Sequence, residues 1–265
     1  MIRKKNIFLY FCLLFCSLFA VETIADKHLN SIDVENKLGE KVSGNIQVVT
    51  DKDELISLDS IFNKGTPTVL VMAYYQCPML CSLVLNGLSK ALSESNLLPG
   101  SDYTALTISI DSNEGPSLSK EKKANYINNY FNEISSSDFW IFSTATQDNI
   151  NQITKELGFN YSYDEKINQF AHPAIVYVLT EEGIISKQIF GIDPTSNDLK
   201  LSILSAQNNN VSSIFDKILL YCYKYDPKGG NYTMIASNVM KVAGASTVLV
   251  MGTFLSFFWI RERII

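Results

Sequence analysis

The stretch Thr68-Val-Leu-Val-Met-Ala-Tyr-Tyr75 most narrows what this chain can fold into. It is continuously apolar and rich in β-branched and aromatic side chains, which predicts a central strand buried on both faces. The run stops at Gln76-Cys-Pro-Met-Leu-Cys81. From there Leu80, Leu83, Val84, Gly87, Leu88, Ala91 and Leu92 recur at helical spacing as far as Pro99-Gly100. Two cysteines therefore stand where a strand gives way to a helix, the place where α/β sheets meet their ligands.

The rest of the chain repeats this alternation. Tyr103 to Ile110 reads as a second buried strand, closed by Asp111-Ser-Asn-Glu-Gly-Pro116. A helix is expected from Ser119, with Lys122, Lys123 and Asn129 on its wet side. Phe139 to Phe142 predicts a third strand, and Gln147 to Leu157 a helix ending at Gly158. Ala174 to Thr180, the Glu181-Glu-Gly183 turn and Ile184 to Phe190 predict a hairpin, followed by a helix from Ser196 to Ala206. Residues 26–66 are polar and punctuated by turn signals, and read as short strands leading into the domain of residues 67–210. Together these elements predict a thioredoxin-like α/β sandwich with a central mixed sheet.

With 265 residues, the chain has room for one such domain of roughly 150 to 200 residues plus its ends. Hydrophobic residues make up 46% and charged residues 18%, with mean hydropathy +0.07, so apolar segments are concentrated somewhere. Both ends supply them. Residues 1–25 join Arg3, Lys4 and Lys5 to an apolar run and small residues near Ala20 and Ala25, the pattern of a secretory signal peptide or an N-terminal anchor. Cys12 and Cys16 lie inside this leader. Val242 to Ile260 is free of charge, with Trp259 at its edge and Arg261 and Arg263 just beyond. These features predict a transmembrane helix over residues 239–261 after a membrane-proximal segment, 211–238, with the tail 262–265 in the cytoplasm. The main domain is then expected on the periplasmic side of the inner membrane. A net charge of -5, with scattered Lys and Arg, gives no electrostatic footprint for nucleic acid.

Outside the leader the cysteines are Cys77, Cys81 and Cys222, and the histidines are His28 and His172. Four residues apart on a first helical turn, Cys77 and Cys81 can share a metal ion or close a disulfide. A helix N-terminus favours the thiolate, and Pro78 suits a first turn because it lacks an N–H. A structural disulfide or two core thiols would fit the same spacing. His172, in Gln169-Phe-Ala-His-Pro-Ala174, precedes the strand expected beside the cysteine-bearing one. A lone histidine is often a satisfied core or surface residue. Should it join the cysteines, two soft sulfurs and an imidazole suit Cu(I) and tolerate Cu(II). Zinc could use the same ligands but usually takes a fourth.

Tyr74-Tyr-Gln-Cys-Pro-Met-Leu-Cys81, Ser109-Ile-Asp111, the Gly158 to Tyr163 stretch, Phe170-Ala-His172 and Cys222-Tyr-Lys-Tyr-Asp-Pro227 resemble the Sco/SenC family, in a branch with a C-terminal membrane anchor. The resemblance covers roughly residues 35–260. It implies copper held by Cys77, Cys81 and His172, a redox-active Cys77–Cys81 disulfide, and a thioredoxin fold. It also implies delivery of copper or reducing equivalents to the binuclear copper site of cytochrome c oxidase. The oxidase's copper-bearing subunit is the implied partner, beside other copper chaperones or thioredoxin-like reductants. Asp111 matches an acidic position near the site, although the proline usual after it is Ser112 here. Cys222 lies in an aromatic-rich run that reads first as membrane-proximal packing, and as an accessory copper or disulfide partner in the sharper reading. A thiol-disulfide reductase, with Cys77 attacking and Cys81 resolving, is the competing function. Peroxidase chemistry is weaker, because the domain carries almost no arginine to assist a cysteine.

Overall fold

The computed structural model describes residues 34–62, 64–77, 80–131, 136–165 and 167–210, together with 223–226, 231–234, 244–248, 250–252 and 254. The polar lead-in forms β1 (Gln47–Thr50), β2 (Leu55–Ser57) and the single turn α1 (Asp59–Phe62). The apolar run becomes β3 (Thr68–Ala73), every residue of it buried, and the helical spacing becomes α2 (Leu80–Ser93). Then follow β4 (Thr104–Ser109), α3 (Pro116–Tyr130), β5 (Trp140–Thr144) and α4 (Gln147–Leu157). A small hairpin, β6 (Ser162–Asp164) and β7 (Gln169–Ala171), precedes β8 (Ile175–Leu179), β9 (Ile185–Phe190) and α5 (Ser196–Gln207). Further on, β10 (Tyr223–Asp226) pairs antiparallel with β11 (Asn231–Met234).

Seven strands form one mixed sheet in the order β2-β1-β5-β4-β3-β8-β9. The pairs β3·β4 and β4·β5 are parallel, while β8 runs antiparallel to β3 and β1 antiparallel to β5. The central strands β3, β4, β5 and β8 are buried along their whole length, which explains why their sequences do not alternate. The short strands expected before residue 66 thus belong to the same sheet as β3.

Helix α2 packs against both α3 and α5. Its approach to the loop after β9 depends on Gly87, where an added Cβ would sit 2.0 Å from the carbonyl oxygen of Ile192. Backbone cannot retreat as a flexible side chain can. Gly87→Ala is therefore expected to cost about 1–3 kcal/mol, read as a lower urea midpoint with an unchanged slope.

Three expectations are corrected. Helix α3 begins at Pro116 and not at Ser119, since proline is at home in a first turn where its missing N–H has no partner to lose. Lys123 is buried instead of wet, because its ammonium pairs with Asp51 at 2.9 Å inside the fold. Cys77 precedes α2 instead of standing on its first turn; the chain turns between Tyr74 and Cys77, whose N–H donates to the Tyr74 carbonyl at 3.3 Å. Pro78, Cys222, the leader and most of residues 239–261 lie outside the described residues. Among those described, no helix is long and apolar enough to cross a membrane.

Candidate metal centre

Two distant stretches of chain converge to build the site. Strand β3 carries the chain to Cys77 and, one turn later, α2 presents Cys81 from its first turn. Because β8 lies directly beside β3, the segment entering β8 brings His172 to the same end of the sheet. The ligand atoms of Cys77, Cys81 and His172 all lie within 4.8 Å of one another. All three residues are buried, and among the described residues no fourth histidine, cysteine or acid joins the group.

Hydrogen bonding orients the ring. His172 Nδ1 lies 3.0 Å from the Pro173 carbonyl oxygen, which can only accept, so Nδ1 carries the proton. Nε2 faces Cys81 Sγ at 2.8 Å. Tyr74 and Phe159 set their rings about the imidazole, with centroids 6.0 Å away in each case. A ring hydrogen-bonded at both nitrogens and flanked by two aromatic neighbours is oriented before any ligand arrives.

The sulfurs are equally placed. Cys77 Sγ accepts the N–H of Cys81 at 3.3 Å, and Cys81 Sγ accepts the N–H of Tyr74 at 3.4 Å. Burial pushes the Cys81 thiol well above its ordinary range, and the neighbouring Cys77 adds to the shift. Without a cation, Cys81 is therefore a neutral thiol whose S–H points at Nε2. A soft cation replacing that proton would gain two sulfurs and one nitrogen from a preassembled set. The donors fit a thiophilic ion of low coordination number, whereas zinc would need a ligand from elsewhere.

Asp111 is placed differently from the ligands. Its Oδ1 accepts the backbone and side-chain N–H groups of Asn113, both at 2.9 Å, and closes its own loop. Two residues that sequence reasoning passed over come closer. Tyr74 hydrogen-bonds Cys77 through its side chain, and burial first, then the two cysteines, raise its hydroxyl above the usual range. Glu114, buried, accepts the N–H groups of Tyr75 and Gln76, each at 2.8 Å. Burial raises its carboxyl, opposed by these donors and by the Ser109 hydroxyl. Nothing in the spacing of Asp111-Ser-Asn-Glu-Gly-Pro116 distinguishes one acid from the other; only the folded loop does.

A family model described as SCO1/SenC matches residues 35–203, well over half of the chain. No curated protein matches it. Among solved structures, a protein of Aquifex aeolicus VF5 is 22% identical with a TM-score of 0.57, covering 65% of this chain and 95% of its own. Arabidopsis thaliana ScoI with copper bound is 16% identical with a TM-score of 0.51, over 63% of this chain and 99% of that one. BsSco, described by a disulfide switch and as a member of the Sco family of cytochrome c oxidase assembly proteins, is 19% identical with a TM-score of 0.51, over 66% and 98%. At these identities the solved structures establish the fold alone, a thioredoxin-like α/β arrangement around a mixed sheet.

Proposed function

The chain belongs to the SCO1/SenC family, and from that premise we propose that it is a copper carrier which loads the binuclear copper site of cytochrome c oxidase. The observation that carries the reading is the buried Cys77, Cys81 and His172 set, with the Nε2 atom of the imidazole already facing the sulfur of Cys81. Copper is the cargo. Cys77 and Cys81 give up their protons and bind as thiolates, and Nε2 of His172 completes the set. Release follows by exchange of these ligands, one at a time, for those of the target's copper-bearing subunit. The basic leader and the uncharged stretch 242–260 support a periplasmic domain tethered to the inner membrane by its C-terminal helix.

The test is anaerobic titration of the full-length chain with Cu(I), and with Cu(II) under argon. One equivalent is expected to bind, and the Cu(II) form to show a thiolate-to-copper absorption band that is lost in Cys77→Ser and Cys81→Ser. Absence of stoichiometric binding would overturn the assignment.

Proton release gives a second expected result. Cys81 is protonated in the free protein and deprotonated in the complex, so protons compete with copper and affinity rises with pH. Between pH 6 and 8 the apparent association constant should increase at least about tenfold per unit, one power of ten for each proton displaced. A competition titration at three pH values measures this, and a flat profile would exclude thiolate ligation by a buried thiol.

A second reading shares the same atoms. The proximity of the two sulfurs supports a thiol-disulfide reductase, with Cys77 attacking a disulfide of the oxidase subunit and Cys81 resolving the mixed disulfide. The pair is oxidised as the target is reduced, and a thioredoxin-like reductant returns it. Because only the reduced pair binds metal, the two activities can alternate in one molecule. Reduction of a protein disulfide without copper, undiminished in His172→Ala, would favour this role.

A further inference from the structure

We propose that Glu114 is the positioning residue of the metal site: by accepting both N–H groups of the Tyr75–Gln76 step, its carboxylate sets where Cys77 Sγ stands relative to Cys81 and His172. This deepens the copper reading and rests on it for the metal measurements only.

The loop leading into Cys77 is anchored in the core by the Tyr75 side chain, whose hydroxyl lies 2.7 Å from the Ser143 carbonyl oxygen, but the backbone of Tyr75 and Gln76 needs acceptors from elsewhere. Tyr75 and Gln76 lie beyond the last residue of β3, so their N–H groups have no ladder partners. Glu114 supplies the acceptors from another element, the loop between β4 and α3. Oε2 takes the Tyr75 N–H and Oε1 the Gln76 N–H, each at 2.8 Å. Oε2 also accepts the Ser109 hydroxyl at 2.6 Å. Having given its proton to Glu114, Ser109 Oγ accepts the N–H of Asp111 at 3.0 Å. The end of β4 thus braces the carboxylate, which in turn braces the ligand loop.

Both carboxylate oxygens are in use, and this decides what the position tolerates. Two neighbouring backbone N–H groups point at two different oxygens, so any replacement must present two acceptors on one planar group. Glutamine has the same shape but turns an NH₂ toward one of those donors. The loop must then shift or leave a buried N–H unpaired. Such a shift is transmitted to the very next residue, Cys77. Among the described residues no lysine or arginine pairs with Glu114, so its partners are these neutral donors. An anion kept buried without a counter-charge is costly, and three converging donors are what retain it.

The experiment compares the full-length wild-type chain with Glu114→Gln, Ser109→Ala and Lys123→Met. The last destabilises the fold through the Asp51 pair, and among the described residues no hydrogen bond or ion pair joins Lys123 to the ligand loop. Three quantities are read: the thiolate-to-Cu(II) band, the rate of Cu(I) transfer to a chromophoric chelator, and the metal-free dithiol–disulfide equilibrium of Cys77 and Cys81 against glutathione. E114Q is expected to displace the band and to speed copper loss by about 10–100-fold, as for other groups that orient ligands. It should also move the redox equilibrium by about tenfold, roughly 30 mV. S109A should change each in the same direction by less, and K123M should leave all three at wild-type values. Wild-type values in both E114Q and S109A would overturn the proposal, and so would equal changes in K123M, which would make the effect one of global stability. If E114Q does not fold, S109A decides. If the wild-type chain shows no copper band, it is the copper reading that fails, and the redox equilibrium alone judges Glu114.

Discussion

Replacing His172 with alanine is expected to weaken copper binding by at least about a hundredfold, close to 2.7 kcal/mol, and to abolish the Cu(II) spectrum. The imidazole is the single nitrogen donor of the set, and among the described residues no further histidine, cysteine or acid stands in reserve. Two thiolates can still hold Cu(I) in a linear arrangement, so residual Cu(I) binding is compatible with the assignment. Cu(II) is harder and depends on nitrogen, so its absorption band should disappear first. The deletion also removes the acceptor of the Cys81 S–H and leaves space between the rings of Tyr74 and Phe159. His172→Gln, which restores bulk but not the ring nitrogen, separates the two effects: it should recover thermal stability without recovering the band. Unchanged Cu(II) absorption in both variants would show that the imidazole is a core residue and leave a dithiol site.

What the sequence disclosed depended on whether a feature is local. The run Thr68 to Tyr75 could be read as a two-face-buried strand because burial on both faces removes alternation, and β3 is buried along its whole length. The Cys77–Cys81 spacing was legible because four residues and one turn suffice to bring their sulfurs together. His172 is ninety-one residues from Cys81, and nothing short-range ties them; only the pairing of β8 with β3 makes them neighbours. The part played by Glu114 was hidden for the same reason. Two of its three partners are backbone N–H groups thirty-eight and thirty-nine residues earlier, and backbone donors leave no trace in side-chain identity. The small hairpin β6–β7 also went unread, since Ser162-Tyr-Asp164 and Gln169-Phe-Ala171 are too short and too incompletely buried for periodicity to mark them. Lys123 was misplaced because a helix-surface pattern is drawn for solvent, whereas its partner sits on the lead-in to the sheet.

That partner gives the largest stability effect expected in the molecule. Lys123 Nζ lies 2.9 Å from Asp51 Oδ2 with both side chains more than nine-tenths buried. Asp51 Oδ1 also takes the N–H of Phe142, at a longer 3.3 Å. One aspartate therefore ties the end of β1 to α3 and to β5. Lys123→Met keeps the bulk of the stem but leaves a carboxylate in the interior with a single backbone donor. Breaking a buried pair in this way costs about 3–5 kcal/mol, which for a domain of this size is a fall in Tm of roughly 10 °C. The double variant Lys123→Met with Asp51→Leu removes the stranded charge, and only the Phe142 N–H is left without its acceptor, at about 1–3 kcal/mol. The double variant is thus expected to be more stable than Lys123→Met alone, a non-additivity that urea denaturation of the four proteins in a cycle measures directly. The exposed pair of Lys52 with Asp138, made by the adjacent residue of the same turn, serves as the internal contrast: solvent already screens both charges, and removing it should leave the midpoint nearly unchanged. Strict additivity in the Asp51–Lys123 cycle would mean that the two groups do not depend on each other, and that the lead-in of residues 47–57 is held to the sheet by its strand pairing and apolar contacts alone.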